Sequence, residues 1–299
     1  MRVSPHPGFL SPRGRVLPVL TVLAAIVVLW YALAVMLNWP QVKAMAANNP
    51  TPASTSDLIG AAWAMERPVL PAPHQVVAEF WKTTVDTAPS SKRSLLYHAW
   101  ITASATMLGF AFGAILGMLL AAGIVHVKTL DRSLMPWIIA SQTVPILAIA
   151  PMIIVILGSV GMTGTVPKAI ISMYLCFFPV TIGMVKGLRS PDPLQLDLMR
   201  TYSADAWQVF WKLRIPASIP FLFASMKVAI AISLVGTIVG ELPTGANGGL
   251  GARLLSGSYY GQTVQIWSAL LMASLLGSVL VYAMGGIERL TLRQMGARA

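Results

Sequence analysis

Charge is what this chain most lacks. Asp, Glu, Lys and Arg make up 10% of its 299 residues, against about a quarter in soluble domains. Hydrophobic residues make up 56%, and mean hydropathy is +0.71. A soluble globular domain is excluded, and an integral membrane protein remains. Acidic side chains are scarcest, 10 against 21 basic ones, for a net charge of +11. No basic stripe with interleaved aromatics accompanies that excess, so the sequence predicts no nucleic acid binding. Basic residues of membrane proteins gather instead in cytoplasmic loops against anionic lipid heads. The single cysteine, Cys176, lies in an apolar run and reads as core filler; alone it allows no intrachain disulfide and no cysteine-cluster metal site. His6, His74, His98 and His126 are scattered, with no pair at ligand spacing. There is no G-x-x-x-x-G-K-[ST], no H-E-x-x-H and no G-x-S-x-G. Gly245-Ala-Asn-Gly-Gly-Leu-Gly251 is glycine-rich but lacks the Lys-Ser/Thr that would make it a P-loop. These absences predict no catalytic residue, no metal and no cofactor on this chain.

What is present is a series of long apolar runs. Spanning a bilayer takes about 20 such residues. Leu17 to Leu37 is uncharged and supplies the first span. The second falls at 95–124 and the third at 134–158, with Gly158-Ser-Val-Gly-Met-Thr-Gly as the following loop. The last three fall at 167–187, 217–240 and 264–287. Lys and Arg in the short loops set the orientation. With the N-terminus inside, Arg2, Arg13, Arg15, Lys128, Arg132, Lys186, Arg189, Arg200, Lys212, Arg214, Arg289, Arg293 and Arg298 are cytoplasmic, whereas the short outer loops hold only Lys168 and Arg253. The prediction is an all-α protein of six transmembrane helices, N-in and C-in. It has a tail at 1–16, an outer loop at 38–93, a five-helix core at 94–288 and a tail at 289–299.

Ala44-Met-Ala46 has the form of a signal-peptidase site. Signal-peptide apolar regions run about 7–15 residues, however, and the longer stretch here, followed by Trp39-Pro40, fits an anchor. The outer loop opens rich in Pro, Ala, Asn and Thr and reads as partly irregular. It then places Val76, Val77, Phe80 and Trp81 on one face, which predicts a short amphipathic helix near 74–82 along the outer interface.

The most informative polar segment is 190–216. Asp192 is a good N-cap and Pro193 a good first helical residue, predicting a helix over 193–213. Leu198, Tyr202, Ala206, Val209, Phe210 and Leu213 recur at helical spacing on one face. Arg200, Ala204, Trp207 and Trp211 fall on another. One reading is an interfacial connector. The other is a helix that packs one apolar face on its own bundle and offers the second to a partner.

This segment resembles the cytoplasmic signature loop of bacterial ABC-importer permeases, Glu-Ala-Ala-x3-Gly-x9-Ile-x-Leu-Pro. Asp197 stands at the Glu, Leu198 and Met199 at the two Ala, Ser203 at the Gly, and Leu213-Arg-Ile215-Pro216 at Ile-x-Leu-Pro. Three further stretches are similar to the nitrate, sulfonate and taurine branch of that family: Pro71-Ala-Pro-His-Gln-Val-Val-Ala, Gln142-Thr-Val-Pro-Ile-Leu-Ala-Ile-Ala-Pro151, and Gly240-Glu241 followed by Gly248-Gly-Leu-Gly251. The likeness covers about residues 70–290; residues 38–69 match nothing and read as an added outer segment. The resemblance implies a type I ABC-importer-like bundle in the bacterial inner membrane. Its coupling helix would contact an ATPase subunit through Asp197, Leu198, Met199, Arg200, Ser203, Trp207, Leu213, Ile215 and Pro216. It further implies a pair of ATPase subunits carrying ATP and Mg, a second permease subunit, identical or not, and a periplasmic solute-binding protein. Membrane lipid is the remaining partner.

Other residues have two readings each. Pro136, Pro145 and Pro151 interrupt the third span, so Gln142 and Thr143 beside the break line the pathway or flank an ordinary kink. Lys227 either snorkels to the cytoplasmic surface or attracts an anionic substrate. Glu241 closes an outer gate, or pairs with Arg253, or caps the loop. Ser172, Ser233 and Thr237 face a cavity or bond back to their own helices. A stand-alone secondary transporter or channel is the main rival reading, and an intramembrane enzyme or a membrane-anchored assembly factor are others.

Overall fold

The computed structural model describes residues 12–47, 54–243 and 248–296, with side chains from residue 17 onward. The tail residues 1–11 and 297–299, six residues of the added outer segment (48–53) and Gly245 to Asn247 of the glycine-rich stretch lie outside the described residues. Among those described, five helices are long and apolar enough to cross a membrane. They lie at Leu17–Ala47, Leu95–His126, Thr165–Leu188, Ala206–Glu241 and Thr263–Gln294. A sixth span arises if Lys128–Ser141 and Ile146–Ser159, bent by 99° to one another, are taken as one. In chain order the helices are α1 (Pro12–Ala47), α2 (Thr55–Ala64), α3 (Pro73–Trp81), α4 (Leu95–His126), α5 (Lys128–Ser141), α6 (Ile146–Ser159), α7 (Thr165–Leu188), α8 (Pro193–Thr201), α9 (Ala206–Val209), α10 (Ile215–Glu241), α11 (Leu250–Tyr259) and α12 (Thr263–Gln294).

Two compact units result, Met1–Asp86 with Gly257–Ser268, and Thr87–Ser256 with Ala269–Ala299. In the first, α1 continues ten residues beyond the apolar stretch, so the outer segment is less irregular than its composition suggests. Asn38, fully buried, holds the returning chain. Its Nδ2 donates to the Ala62 and Leu70 carbonyls, and its Oδ1 accepts the Val69 and Leu70 N–H groups. A reciprocal capping box of Ser54 and Asp57 starts α2. The Ser54 hydroxyl and N–H beside Asp57 hold its carboxyl below the usual carboxylate range. In α3, Val76 turns inward, and a π-helical turn over Lys82–Asp86 extends the helix. The widening coincides with Thr83, whose hydroxyl donates to the carbonyl of Glu79 four residues back at 2.6 Å.

The second unit is built on α4, α7 and α10, which meet along seams of small residues. A Cβ at Gly113 of α4 would lie 2.9 Å from Cys176 Cβ, and one at Gly117 would lie 2.9 Å from Val180 Cβ. Such seams let backbones approach where lipid supplies no hydrophobic force between helices. Cys176 is packed in this core as expected. Ser172, Ser233, Thr106 and Thr237, all fully buried, stitch the same seam. Ser172 Oγ donates to the Ser233 carbonyl, Ser233 Oγ to that of Thr106, and Thr106 Oγ1 to Thr237 Oγ1. Ser172 and Ser233 therefore tie helices together, whereas the Thr237 hydroxyl donates to the Ser233 carbonyl of its own helix at 3.1 Å, the back-bond read from sequence.

Candidate functional site

The polar segment after α7 is two helices and a turn, not the one helix predicted over 193–213. Asp192 caps α8 as expected, and Arg200 Nη1 lies 2.8 Å from Asp197 Oδ1 on its surface. The helix stops because Ser203 adopts φ 52°, the one positive value among described non-glycine residues. A left-handed residue cannot continue a right-handed helix. The signature that the segment resembles has Gly at this place, a residue that takes such a φ without strain. Asp205 then caps a new helix, with Gln208 completing a capping box.

From Ala206 the chain runs without interruption to Glu241. Its path passes through a π-helical turn at Phe210–Arg214, where the Ile215 N–H bonds to the Phe210 carbonyl. The turn lies just ahead of Pro216, whose nitrogen cannot donate to the carbonyl of Lys212. The segment is fixed to the bundle from beneath. The rings of Phe210 and His126 at the end of α4 are 4.7 Å apart, edge to face. Arg214 Nη1 donates to the Leu188 carbonyl at the end of α7. Arg189 pairs with Asp131 of α5 at 2.8 Å. Phe210 is buried, and Leu213, Ile215 and Pro216 are half-buried. Leu194, Leu198, Tyr202, Trp207 and Trp211 of this segment are all at least half exposed. Met199 is half-buried.

A second feature is the elbow between α5 and α6. Of the three prolines expected to break this span, only Pro145 does; Pro136 and Pro151 sit inside helices. Pro145 has no N–H for the Ser141 carbonyl, and the Tyr174 hydroxyl of α7 donates to that oxygen at 2.5 Å. The freed carbonyl is thus satisfied by a neighbouring helix, as a membrane interior requires. Gln142, Thr143, Pro145 and Pro151 are exposed on this chain.

A third feature is a buried polar cluster at the outer end of the core. Lys168, assigned from sequence to an outer loop, is 1% exposed on α7. Its ammonium donates to the Gly248 carbonyl at 2.8 Å and lies 3.7 Å from Glu241 Oε1. Lys168 is thus a cation beside Glu241 that the sequence did not single out. Glu241 Oε2 accepts the Gly251 N–H at 2.8 Å, and His98 Nδ1 accepts the Gly249 N–H at 3.0 Å. His98 Nε2 faces the Lys92 carbonyl, which fixes the tautomer that leaves Nδ1 free to accept. The cluster closes the chain onto α4, α7 and α10 where α11 begins. Lys227 is likewise paired, with Glu288 of α12 at 2.7 Å.

Sequence reasoning missed Tyr174, Lys168, Thr102 and Glu288. Only Tyr174 had a usable signal, the rule that Pro frees the carbonyl four residues before it.

The comparisons agree with this geometry. Residues 113–295 match the family described as binding-protein-dependent transport system inner membrane component. The riboflavin transport system permease protein RibX of Chloroflexus aurantiacus is 29% identical over 225 residues, covering 75% of this chain and 80% of that protein. The formylaminopyrimidine transport permease protein ThiX of Halalkalibacterium halodurans is 29% identical over 226 residues, covering 75% and 85%. The aliphatic sulfonates permease SsuC of Bacillus subtilis is 25% identical over 222 residues, covering 74% and 76%. In fold, the MetNI methionine ABC transporter in an inward facing conformation is similar at TM-score 0.56 and 18% identity, covering 65% of this chain and 94% of that one. The matched family, the permease relatives and the helical membrane bundle converge: this chain is a multi-pass inner-membrane permease of the ABC-transporter class and belongs to the family of binding-protein-dependent transport system inner membrane components.

Proposed function

We propose that this chain forms part of the solute pathway of an importer and is driven through residues 193–216 by a separate ATPase subunit. The observation that carries this reading is the set of exposed apolar side chains Leu194, Leu198, Tyr202, Trp207 and Trp211, on α8 and on the first turns of the helix that leads into α10. The segment 193–216 is fixed to α4 and α7 through Phe210 and Arg214. Force applied to these side chains passes into the bundle. Within the segment Asp197 and Arg200 hold α8, Ser203 sets the turn, and Leu213, Ile215 and Pro216 seat the segment on the core. Trp207, Leu198 and Met199 provide contact area for the ATPase. A pair of ATPase subunits carries ATP and Mg, a second permease subunit completes the pathway, and a periplasmic binding protein delivers solute.

The exposed elbow at Gln142, Thr143, Pro145 and Pro151 is assigned to the pathway, where irregular backbone at membrane depth is tolerated beside a wet cavity. Glu241 and Lys227 are each ion-paired in this structure, and we assign both to holding helices together. The solute is a small polar or anionic organic compound. Relatives named for formylaminopyrimidine and aliphatic sulfonates support that class, and ones named for the inorganic anion nitrate and for riboflavin widen it.

The rival reading, a carrier working alone, expects an ionisable group near mid-membrane available for coupling. The paired state of Lys227 disfavours it. A direct test is Trp207→Ala combined with Leu198→Ala. Uptake should fall at least tenfold while the chain still inserts and purifies folded; unchanged uptake refutes coupling through this surface.

A further inference from the structure

The short helix of the outer segment has a face that transport through the core does not use. Val77, Trp81 and Val85 follow one another at four-residue steps through α3 and its π-helical extension, and they are 60%, 60% and 57% exposed. Val76 and Thr83 turn the other way and are buried. The expected apolar face of Val76, Val77, Phe80 and Trp81 is thus split between an inner side and an outer one. The outer side is apolar, a single large aromatic lies at its centre, and Lys82 is next to it.

The depth of this face is set by α1. The Trp30 indole N–H donates to the Pro71 carbonyl at 3.0 Å. The Tyr31 ring stacks on His74 at 5.9 Å with 10° between planes, and Tyr31 Oη is 3.2 Å from His74 Nδ1. Helix α3 therefore starts beside residue 31, six residues short of the outer end of the Leu17–Leu37 apolar stretch. At 1.5 Å per residue that is about 9 Å inside the outer edge of the hydrocarbon, within the ~5–10 Å at which interfacial helices bury their apolar face. Around this level α1 exposes Leu29, Leu33 and Met36, side chains that a span turns to acyl chains.

We infer that α3 and its extension lie in the outer leaflet, with Val77, Trp81 and Val85 inserted among lipid acyl chains beside α1. The apolar surface of the span continues onto this face, so the same solvent covers both. A Trp at the headgroup boundary with a neighbouring Lys follows the usual interfacial pattern.

The test is nitroxide accessibility on the full chain in phosphatidylcholine–phosphatidylglycerol vesicles. Single cysteines replace Val77, Trp81 or Val85, with Asp57→Cys as water reference and Leu29→Cys as acyl-chain reference; Cys176, fully buried, takes no label. The expected result is a ratio of oxygen to nickel-chelate collisions several-fold above that of Asp57→Cys and approaching that of Leu29→Cys. A ratio equal to the Asp57 reference overturns the inference in favour of water. Low collision with both reagents overturns it in favour of protein, a second copy or a partner. The Val77 and Val85 positions give the reading even if Trp81→Cys does not fold.

Discussion

The Thr102 hydroxyl lies 2.9 Å from Oε1 and 3.0 Å from Oε2 of Glu241, although the two residues are 139 apart in sequence. The same oxygen accepts the Leu250 N–H at 2.9 Å. One side chain of α4 thus bonds both the carboxylate at the end of α10 and the first turn of α11. Removing either partner leaves buried polar groups unmet. Thr102→Val should cost about 1–3 kcal/mol and Thr102→Ser much less. Glu241→Ala, which leaves the buried Lys168 ammonium with the Gly248 carbonyl but without its counter-charge, should cost about 3–5 kcal/mol. Thermal unfolding of the detergent-purified chain measures both. The double variant Lys168→Met/Glu241→Gln should lose less than the sum of its single changes.

Ser203 occupies a backbone conformation better suited to glycine. Ser203→Gly should be neutral or stabilising by under about 1 kcal/mol, because relief of the left-handed strain is offset by the greater entropy glycine loses on folding. Ser203→Val should destabilise by about 1–2 kcal/mol. The same unfolding assay decides between this account and one in which the serine hydroxyl matters, for which Ser203→Gly would be the damaging change.

The elbow makes a coupled prediction. Tyr174→Phe should lower stability by about 1–3 kcal/mol by leaving the Ser141 carbonyl without its donor. Pro145→Ala restores an N–H four residues after Ser141. Tyr174→Phe should therefore cost less in a Pro145→Ala background than in the native one. Equal costs in the two backgrounds would show that the hydroxyl does not serve this carbonyl.

The Lys227–Glu288 pair is partly exposed, at 35% and 19% of the two side chains. Its contribution should therefore be about 0.2–1 kcal/mol. Lys227→Met and Glu288→Gln should each leave solute uptake near normal. A large loss of uptake in Lys227→Met alone would restore the reading of Lys227 as a cation that attracts an anionic substrate.

Much of the helical layout was legible because it depends on local quantities. Uncharged runs gave the spans, and Asp192-Pro193 gave the start of α8. What escaped depends on partners distant in sequence. Lys168 reads as a loop cation until Glu241 and the Gly248 carbonyl are brought to it. Pro136, Pro145 and Pro151 look equivalent in sequence, yet the break falls only at Pro145, where a donor stands opposite the freed carbonyl. The split of the segment 193–216 was half visible: the Gly of the signature it resembles stands at the place, while the serine there concealed the turn.

The central claim is that solute moves because an ATPase acts on residues 193–216. Its most direct test is uptake into right-side-out membrane vesicles, using as solute the ligand that calorimetry finds on the partner binding protein. The account predicts uptake that requires internal ATP, survives collapse of the proton gradient and is lost in Trp207→Ala/Leu198→Ala. Uptake that follows an imposed proton gradient, with no ATP and no ATPase subunit present, would contradict it.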